Sequence, residues 1–274
     1  MAASVTAIVD KISGAGGKLA SLGAVLLLAG GAAAPREAAD HPNALWHVVH
    51  GLCLTDKRLI GASAPCAFVD LARGFAVVRD PGGKTQVLLV PTRRLSGIED
   101  PRLQASGAPN YWQYAWEARR FFEKRAGRQV ARDDIALAIN SRISRSQQQL
   151  HIHIDCVAPD VRQALAAHEN EIGEHWTRLR FDLMGRRYRA IKLEGPELGD
   201  RDPFRLLYQA SARAKAEMGA ETLVVVGATF ADGSPGFYLL SDRADPAAGD
   251  SGAGEDLLDH GCAVLRGGKP ALAE

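Results

Sequence analysis

The sequence has almost no net charge: 33 lysines and arginines face 32 aspartates and glutamates, a formal +1. No global field steers such a chain toward nucleic acid or an anionic surface, so any basic site has to be local. Cysteine is also scarce. The four present, Cys53, Cys66, Cys156 and Cys262, include no CxxC pair, which argues against a zinc ribbon or a thioredoxin-like redox motif. Two disulfides and four buried thiols both stay open; Cys53 and Cys66 bracket a loop-like segment with Asp56, Lys57, Gly61, Ser63 and Pro65 that one bridge would staple. A second HxT or HxS element is missing too. His47, His50, His168, His175 and His260 stand alone, which excludes two-histidine phosphodiesterase chemistry and leaves these five as ordinary surface or partly buried side chains.

What is present is enough apolar sequence, 46% of 274 residues, for one large or two small globular domains. Lys11 and Lys18 precede an apolar run from Leu19 to Gly31, followed by Ala32, Ala33 and Ala34. This reads as an export signal or a short anchor over 1–34. The run falls below the roughly 20 residues usually needed to cross hydrocarbon, which favours a cleaved signal, while Pro35 is an awkward start for a mature chain. Cleavage is left open. Export would suit disulfides. Residues 35–52 read as a linker leading into a first helix, 53–160 as a catalytic half, and 161–274 as a C-terminal α/β half packed on the same domain.

The pattern predicts a helical segment from Leu45 to Leu54 and strands at Phe75 to Val78 and Gln86 to Val90, separated by the hairpin punctuation Asp80-Pro81-Gly82-Gly83. From Asn110 to Arg125 apolar residues recur at three- and four-residue intervals between a capping asparagine and Gly127, predicting a core-packed helix. Ile135 to Ile139 reads as a buried strand, and after the polar loop Asn140 to Gln148 a strand is expected over Gln149 to Cys156. Further expectations are helices at Asp160 to Trp176 and Phe204 to Met218, strands at Thr222 to Gly227 and Gly236 to Leu240, a loop at Ala244 to Gly254, and a last strand through Cys262 to Leu265. The second half resembles the first in the order and size of its elements, a weak sign of an internal repeat.

Within Gln149 to Cys156 the two-residue period puts Gln149, His151, His153 and Asp155 on one face, with Leu150, Ile152 and Ile154 on the other. Unpaired imidazoles are costly to bury, so His151 and His153 are hydrated, bound to a ligand, or acting on a substrate. Plain surface histidines and a metal pair on the HxH spacing are the competing readings. The preceding loop supplies Asn140, Ser141, Arg142, Ser144, Arg145 and Ser146, a density of amide, hydroxyl and guanidinium donors that suits a phosphate; the alternative is a solvated polar turn. Tyr111, Trp112, Tyr114 and Trp116 have the spacing of core packing more than of a nucleobase platform.

Val87-Leu88-Leu89-Val90-Pro91, Ile139-Asn140 and the Gln149-Leu150-His151-Ile152-His153-Ile154 string resemble the histidine-triad superfamily, whose signature alternates three polar positions, usually histidines, with apolar ones. The longer strings Leu89 to Glu99, Ala138 to Arg142 and His151 to Cys156, with the placing of all four cysteines, resemble the CDP-diacylglycerol pyrophosphatase family from about Cys53 to Cys262. The resemblance implies an α+β, histidine-triad-like fold with antiparallel sheet flanked by helices. It also implies hydrolysis of CDP-diacylglycerol to CMP and phosphatidate in phospholipid metabolism. The middle position of the signature, its nucleophile, falls on His151; His153 is the third member, and Gln149 stands where the first histidine would be, a departure from the strict triad. Asn140, Arg142, Arg145 and Ser146 would then hold substrate phosphate. No cofactor and no metal are called for, although a diphosphate often carries Mg²⁺. Expected partners are the lipid nucleotide and, through the N-terminal run, a membrane; nucleic acid is not expected. The implied location is the bacterial inner membrane with the catalytic part exported to the periplasmic side. Two other functions compete: CDP-dependent nucleotidyl transfer to another acceptor, and an exported nucleotide- or lipid-binding protein without turnover.

Overall fold

The computed structural model of the protein describes residues 41–81 and 83–266. The expected leader at 1–34 therefore lies outside the described residues, and among those described no helix is long and apolar enough to cross a membrane. The chain begins with a helical stretch, α1 (44–60), made of Ala44–Trp46, a π-helical section His47–Cys53 and Leu54–Ile60. It runs past the expected Leu54 and stops at Gly61, whose left-handed φ of 74° suits a residue without a Cβ.

Then follow β1 (Phe68–Asp70), β2 (Phe75–Arg79), β3 (Val87–Pro91), α2 (Tyr111–Ala126), β4 (Ile135–Ile139) and β5 (Ile152–Val157). The second half adds α3 (Pro159–Ala167), β6 (Thr177–Arg178), β7 (Arg189–Glu194), α4 (Pro203–Ala210), α5 (Ala212–Ala216), β8 (Glu221–Thr229), β9 (Pro235–Arg243) and β10 (Leu258–Asp259). This is an α+β protein. Among the described residues ten strands join one antiparallel sheet in the order β1-β2-β3-β5-β4-β8-β9-β7-β6, with β10 attached to β5. Read outward from the central β4–β8 pair, the order is palindromic: β4-β5-β3-β2 on one side, β8-β9-β7-β6 on the other. Each half is a hairpin, a helical crossing and a second hairpin, so the repeat hinted at by the sequence exists in topology, with different residues at corresponding places.

Both faces of the sheet are covered. On one, α2 lays Trp112, Ala115, Trp116 and Phe122 against Ile135, Leu137, Ile152, Ile154, Val225 and Phe237. On the other, α1 covers Ala76, Val78, Leu88 and Val90, while α3 and the chain after β6 cover Ala136, Val224, Val226 and Leu240. Strands covered on both sides lose the in-out alternation expected of a half-exposed sheet, and all six residues of β5 are buried. Asn110 caps α2 by accepting from the N–H groups of Trp112 and Gln113 at 3.2 Å, and Gly127 ends it at φ 72°.

Four expected elements differ. The strand at Gln149 starts only at Ile152, because its ladder with β3 ends at Leu89–Ile152 and the next position opposite Leu150 is Pro91, which has no N–H to give; Leu150 N donates to Leu95 O instead. The helix from Asp160 ends at Ala167, and Glu169 beyond it accepts from Ala231 N at 3.0 Å. The helix from Phe204 breaks at Ser211, whose hydroxyl accepts from Ala214 N and starts α5. Cys262 to Leu265 is a 3-10 turn, wound by Asp259, which accepts from the Cys262 and Ala263 N–H groups.

Because the Asn110 cap satisfies two orphan N–H groups, Asn110→Ala is expected to lower the unfolding free energy by about 1–2 kcal/mol in urea titrations, with activity per folded molecule unchanged.

Candidate functional site

The site forms where β5 enters the sheet. His151 and His153 are only 7% and 5% exposed, which rules out the plain-surface reading. Their rings meet edge to face with centroids 4.9 Å apart. Opposite His153 on the neighbouring strand is Ala138, whose small side chain leaves room for an imidazole between strands.

His151 has a fixed tautomer. Its Nδ1 lies 2.7 Å from the Gln149 carbonyl oxygen, and a carbonyl only accepts, so Nδ1 carries the proton and Nε2 keeps its lone pair. Burial, and then the neighbouring His153, push the His151 pKa down to about 4, so the ring is neutral through the physiological range. A buried, neutral imidazole with one free nitrogen has the form of a nucleophile.

His153 is held at the same ring nitrogen. Its Nδ1 is 2.8 Å from the Gln86 side-chain nitrogen and 3.3 Å from Glu255 Oε1, while its Nε2 is buried with no hydrogen-bond partner among the described residues. Glu255 also accepts from Asn140 Nδ2 at 2.9 Å, and its own N–H donates to Asn140 Oδ1 at 3.1 Å. Burial pushes the Glu255 carboxyl upward, but His153, the Asn140 hydrogen bond and His260 outweigh it and hold the pKa at about 2. His260 stands behind this carboxylate: its Nε2 is 3.6 Å from Glu255 Oε1, and its Nδ1 bonds Asp155 Oδ2 at 2.9 Å. The Asp155 hydrogen bond raises the His260 pKa against burial. Thr85 Oγ1 donates to the second Asp155 oxygen at 2.7 Å. At 40% exposure, His260 links the buried chain His153–Glu255 to solvent.

Glu255 arrives on a segment stitched to the end of β4. Ser141 N donates to Gly252 O at 2.9 Å, Ser141 Oγ to Ser251 O at 2.6 Å, and Ala158 N to Leu257 O at 2.9 Å. Gly254 is needed for this closeness, since a Cβ there would stand 2.7 Å from Thr222 Oγ1 and 2.8 Å from Ile139 O. The Cys156–Cys262 disulfide ties the same segment to β5, and Cys53–Cys66 ties α1 to the loop before β1. Of the two readings left open, two disulfides are the one found, and four free thiols are not.

The other expected site residues separate. Asn140 reaches the site, but through Glu255. Arg145 lies over the His151 cleft yet is held in a two-pronged pair by Glu99 at 2.6 and 2.7 Å, and Gln148 accepts from it as well. Gly97 lies beneath, where a Cβ would overlap the guanidinium. The Gln149 side chain is spent on the loop after β3: its Nε2 donates to Pro91 O and Arg93 O, both at 3.0 Å, while its backbone carbonyl is what orients His151. Arg142 is exposed on the wall of a larger groove, and Ser146 is exposed outside the cleft. The cleft at His151, lined by Gly97, Asn140, Arg145 and Leu150, holds about 10 Å³, hardly one water. Contrary to the sequence reading, His260 is no ordinary lone histidine. Glu255, Gln86 and Glu99 were missed altogether. Glu255 follows a small, polar stretch that reads as loop, and a Cys156–Cys262 pairing known in advance was the one signal that would have brought His260 beside Asp155.

The comparisons place the chain among the hydrolases. A family model of CDP-diacylglycerol pyrophosphatase matches residues 40–266, and a curated CDP-diacylglycerol pyrophosphatase of Yersinia pestis is 38% identical over 226 residues, 82% of this chain and 86% of the relative. The match takes in every residue of the site just described. This chain belongs to the CDP-diacylglycerol pyrophosphatase family.

His151 also sets a pH signature. Its folded pKa of about 4 lies below the ordinary 6.5, so between those values the unfolded chain binds a proton that the folded chain refuses, and stability falls as pH drops through that window. His151→Gln removes this contribution. Its unfolding free energy in urea is expected to decline less than the parent's between pH 7 and pH 4.5; parallel declines would mean that His151 is not held neutral by the fold.

Proposed function

We propose that His151 is the nucleophile in the hydrolysis of CDP-diacylglycerol to CMP and phosphatidate, the reaction that membership of this family assigns. The observation that carries the role is the hydrogen bond from His151 Nδ1 to the Gln149 carbonyl, which leaves Nε2 as a lone-pair nitrogen in a neutral ring. The histidine-triad likeness of the Gln149 to Ile154 string supports the same assignment. Nε2 attacks the cytidylyl phosphorus; the N–P bond forms as the bridging P–O bond breaks, and phosphatidate leaves with that electron pair. The adduct's imidazolium keeps its Nδ1 proton on the Gln149 carbonyl, which stabilises the charge that develops there. Water then attacks the same phosphorus, the N–P electrons return to Nε2, and CMP departs.

His153 stands beside His151 as a donor: its Nδ1 accepts from the Gln86 amide, so its Nε2–H is free to hold a phosphate oxygen. Glu255, 3.3 Å from the same ring, is the carboxylate that balances positive charge developing on the two imidazoles, His260 connects it to solvent, and the water's proton passes to solvent as CMP leaves. Arg145 and Arg142 receive the diphosphate oxygens. For Arg145 the substrate has to displace Glu99, an exchange of one anion for another that opens the closed cleft. At the level of the cell, the apolar run from Leu19 holds the enzyme at the inner membrane with its catalytic part on the periplasmic side. Two disulfides fit that oxidising compartment, and a lipid substrate fits the membrane.

The test is CMP release from CDP-diacylglycerol in detergent with a chelator present. The parent is expected to turn over. His151→Ala should lose at least about 10⁴-fold in kcat and Glu255→Gln about 10²-fold, both compared per folded molecule. Full activity in His151→Ala, or lipid-nucleotide binding by the parent with no CMP produced, would overturn the mechanism.

A further inference from the structure

The loop between β4 and β5, which also carries Arg145, holds an isoleucine in the open. Ile143 is 55% exposed, although its loop neighbours are pinned: Arg142 N donates to Gly219 O at 2.7 Å, and Ile143 N to Ser141 Oγ at 3.2 Å. An apolar side chain held out by a fixed loop is a contact surface. Beside it opens a groove of about 650 Å³ whose wall includes Ile98, Ile143, Tyr208 and Met218, with Arg142 and Lys215 among its cations. Arg145, which covers the His151 cleft, comes from the same loop.

A second, independent observation fixes which way this loop faces. The first described residues of the chain are fastened to it: Gln148 N donates to Pro42 O at 2.6 Å, Gln147 Nε2 to His41 O at 3.3 Å, and Leu45 N to Gln147 Oε1 at 2.9 Å. Only residues 35–40 separate His41 from Ala34, the end of the apolar stretch. Six residues reach at most about 20 Å when fully extended. The tether therefore keeps the end of the apolar stretch within about 20 Å of a strand of chain that is fastened to this loop.

We propose that the loop 141–148 and the adjoining groove form the face that docks on the lipid surface. Ile143 enters the acyl region, Lys215 stands at the level of the lipid phosphates beside Arg142 on the substrate's diphosphate, and the groove takes the glycerol end of the lipid nucleotide directly from the bilayer. This rests on the reading that the Leu19 run is inserted in the membrane, and adds to it an orientation. Leu59 and Ile60 are more exposed, at 77% and 74%, but they sit at the far end of α1, about 25 Å along the helix from the fastened end. They serve as the comparison position.

The experiment uses the full chain in nanodiscs of phosphatidylethanolamine and phosphatidylglycerol. All four native cysteines are paired, so Ile143→Cys and Leu59→Cys each give a single labelling site for an environment-sensitive fluorophore. Ser146→Cys, exposed on the same loop, is a second reporter that keeps the test valid should Ile143→Cys fold poorly. Brominated acyl chains are expected to quench the label at 143 by at least half, at 146 less, and at 59 by under a tenth. Quenching at 59 without quenching at 143 and 146, or at none of them while the protein stays on the discs, overturns the docking face and leaves membrane association standing. Protein that elutes apart from the discs overturns the membrane reading and this inference together.

Discussion

The hydrogen bond between His151 Nδ1 and the Gln149 carbonyl is the constraint on which the rest of the site depends. An imidazole in water exchanges tautomers freely and is partly protonated near neutrality. Here the 2.7 Å contact fixes the proton on one nitrogen, and burial keeps the ring neutral, so the other nitrogen keeps its lone pair without any base to deprotonate it. The geometry exists because the β3–β5 ladder ends at Leu89–Ile152, short of Pro91. Were Gln149 paired regularly with β3, its carbonyl would be committed to the sheet. Instead the Gln149 side chain ties down the loop after β3 and its carbonyl turns to its own neighbour two residues on.

Burying two imidazoles requires partners for their polar atoms; Gln149 and Gln86 supply two, and the second half of the chain adds Glu255. In the palindromic sheet β9 takes the place that β5 has in the first half, and Asp242 lies on the same face as His153. No histidines stand there. Burial and the hydrogen bond with Asp250 push the Asp242 carboxyl up to about 6, and Arg186 bonds Asp250 at 3.0 Å and Asp256 at 3.3 Å. These contacts anchor the segment that carries Glu255 across to His153. One half of the fold thus holds the chemistry, and the corresponding place in the other half holds the strap that completes it.

Local order was readable from the sequence wherever it is set locally. Asn110 and Gly127 bracket α2 as their capping chemistry dictates, the Pro-Gly-Gly hairpin separates β2 from β3, and the HxH spacing marked His151 and His153. The sequence did not show that β5 is covered on both faces, since period-two polarity looks the same whether the polar side meets water or a second layer of protein. Nor did it show Glu255, His260 or the Glu99 grip on Arg145. Those contacts cross 40 to more than 100 residues and depend on a disulfide and on the close approach at Gly254, neither of which leaves a periodic trace. Arg142, Arg145 and Ser146 looked alike as phosphate donors, and only the fold separates a covered arginine over the cleft from an exposed one on a groove wall.

The central claim is that phosphorus passes through a covalent bond to His151. Rapid-quench mixing of enzyme with CDP-diacylglycerol, followed by alkaline denaturation and peptide mass spectrometry, tests it most directly. A cytidylyl group on His151 that appears before CMP and decays as CMP accumulates is the predicted result. CMP formed in a single turnover with no adduct, or an adduct on any other residue, would contradict it.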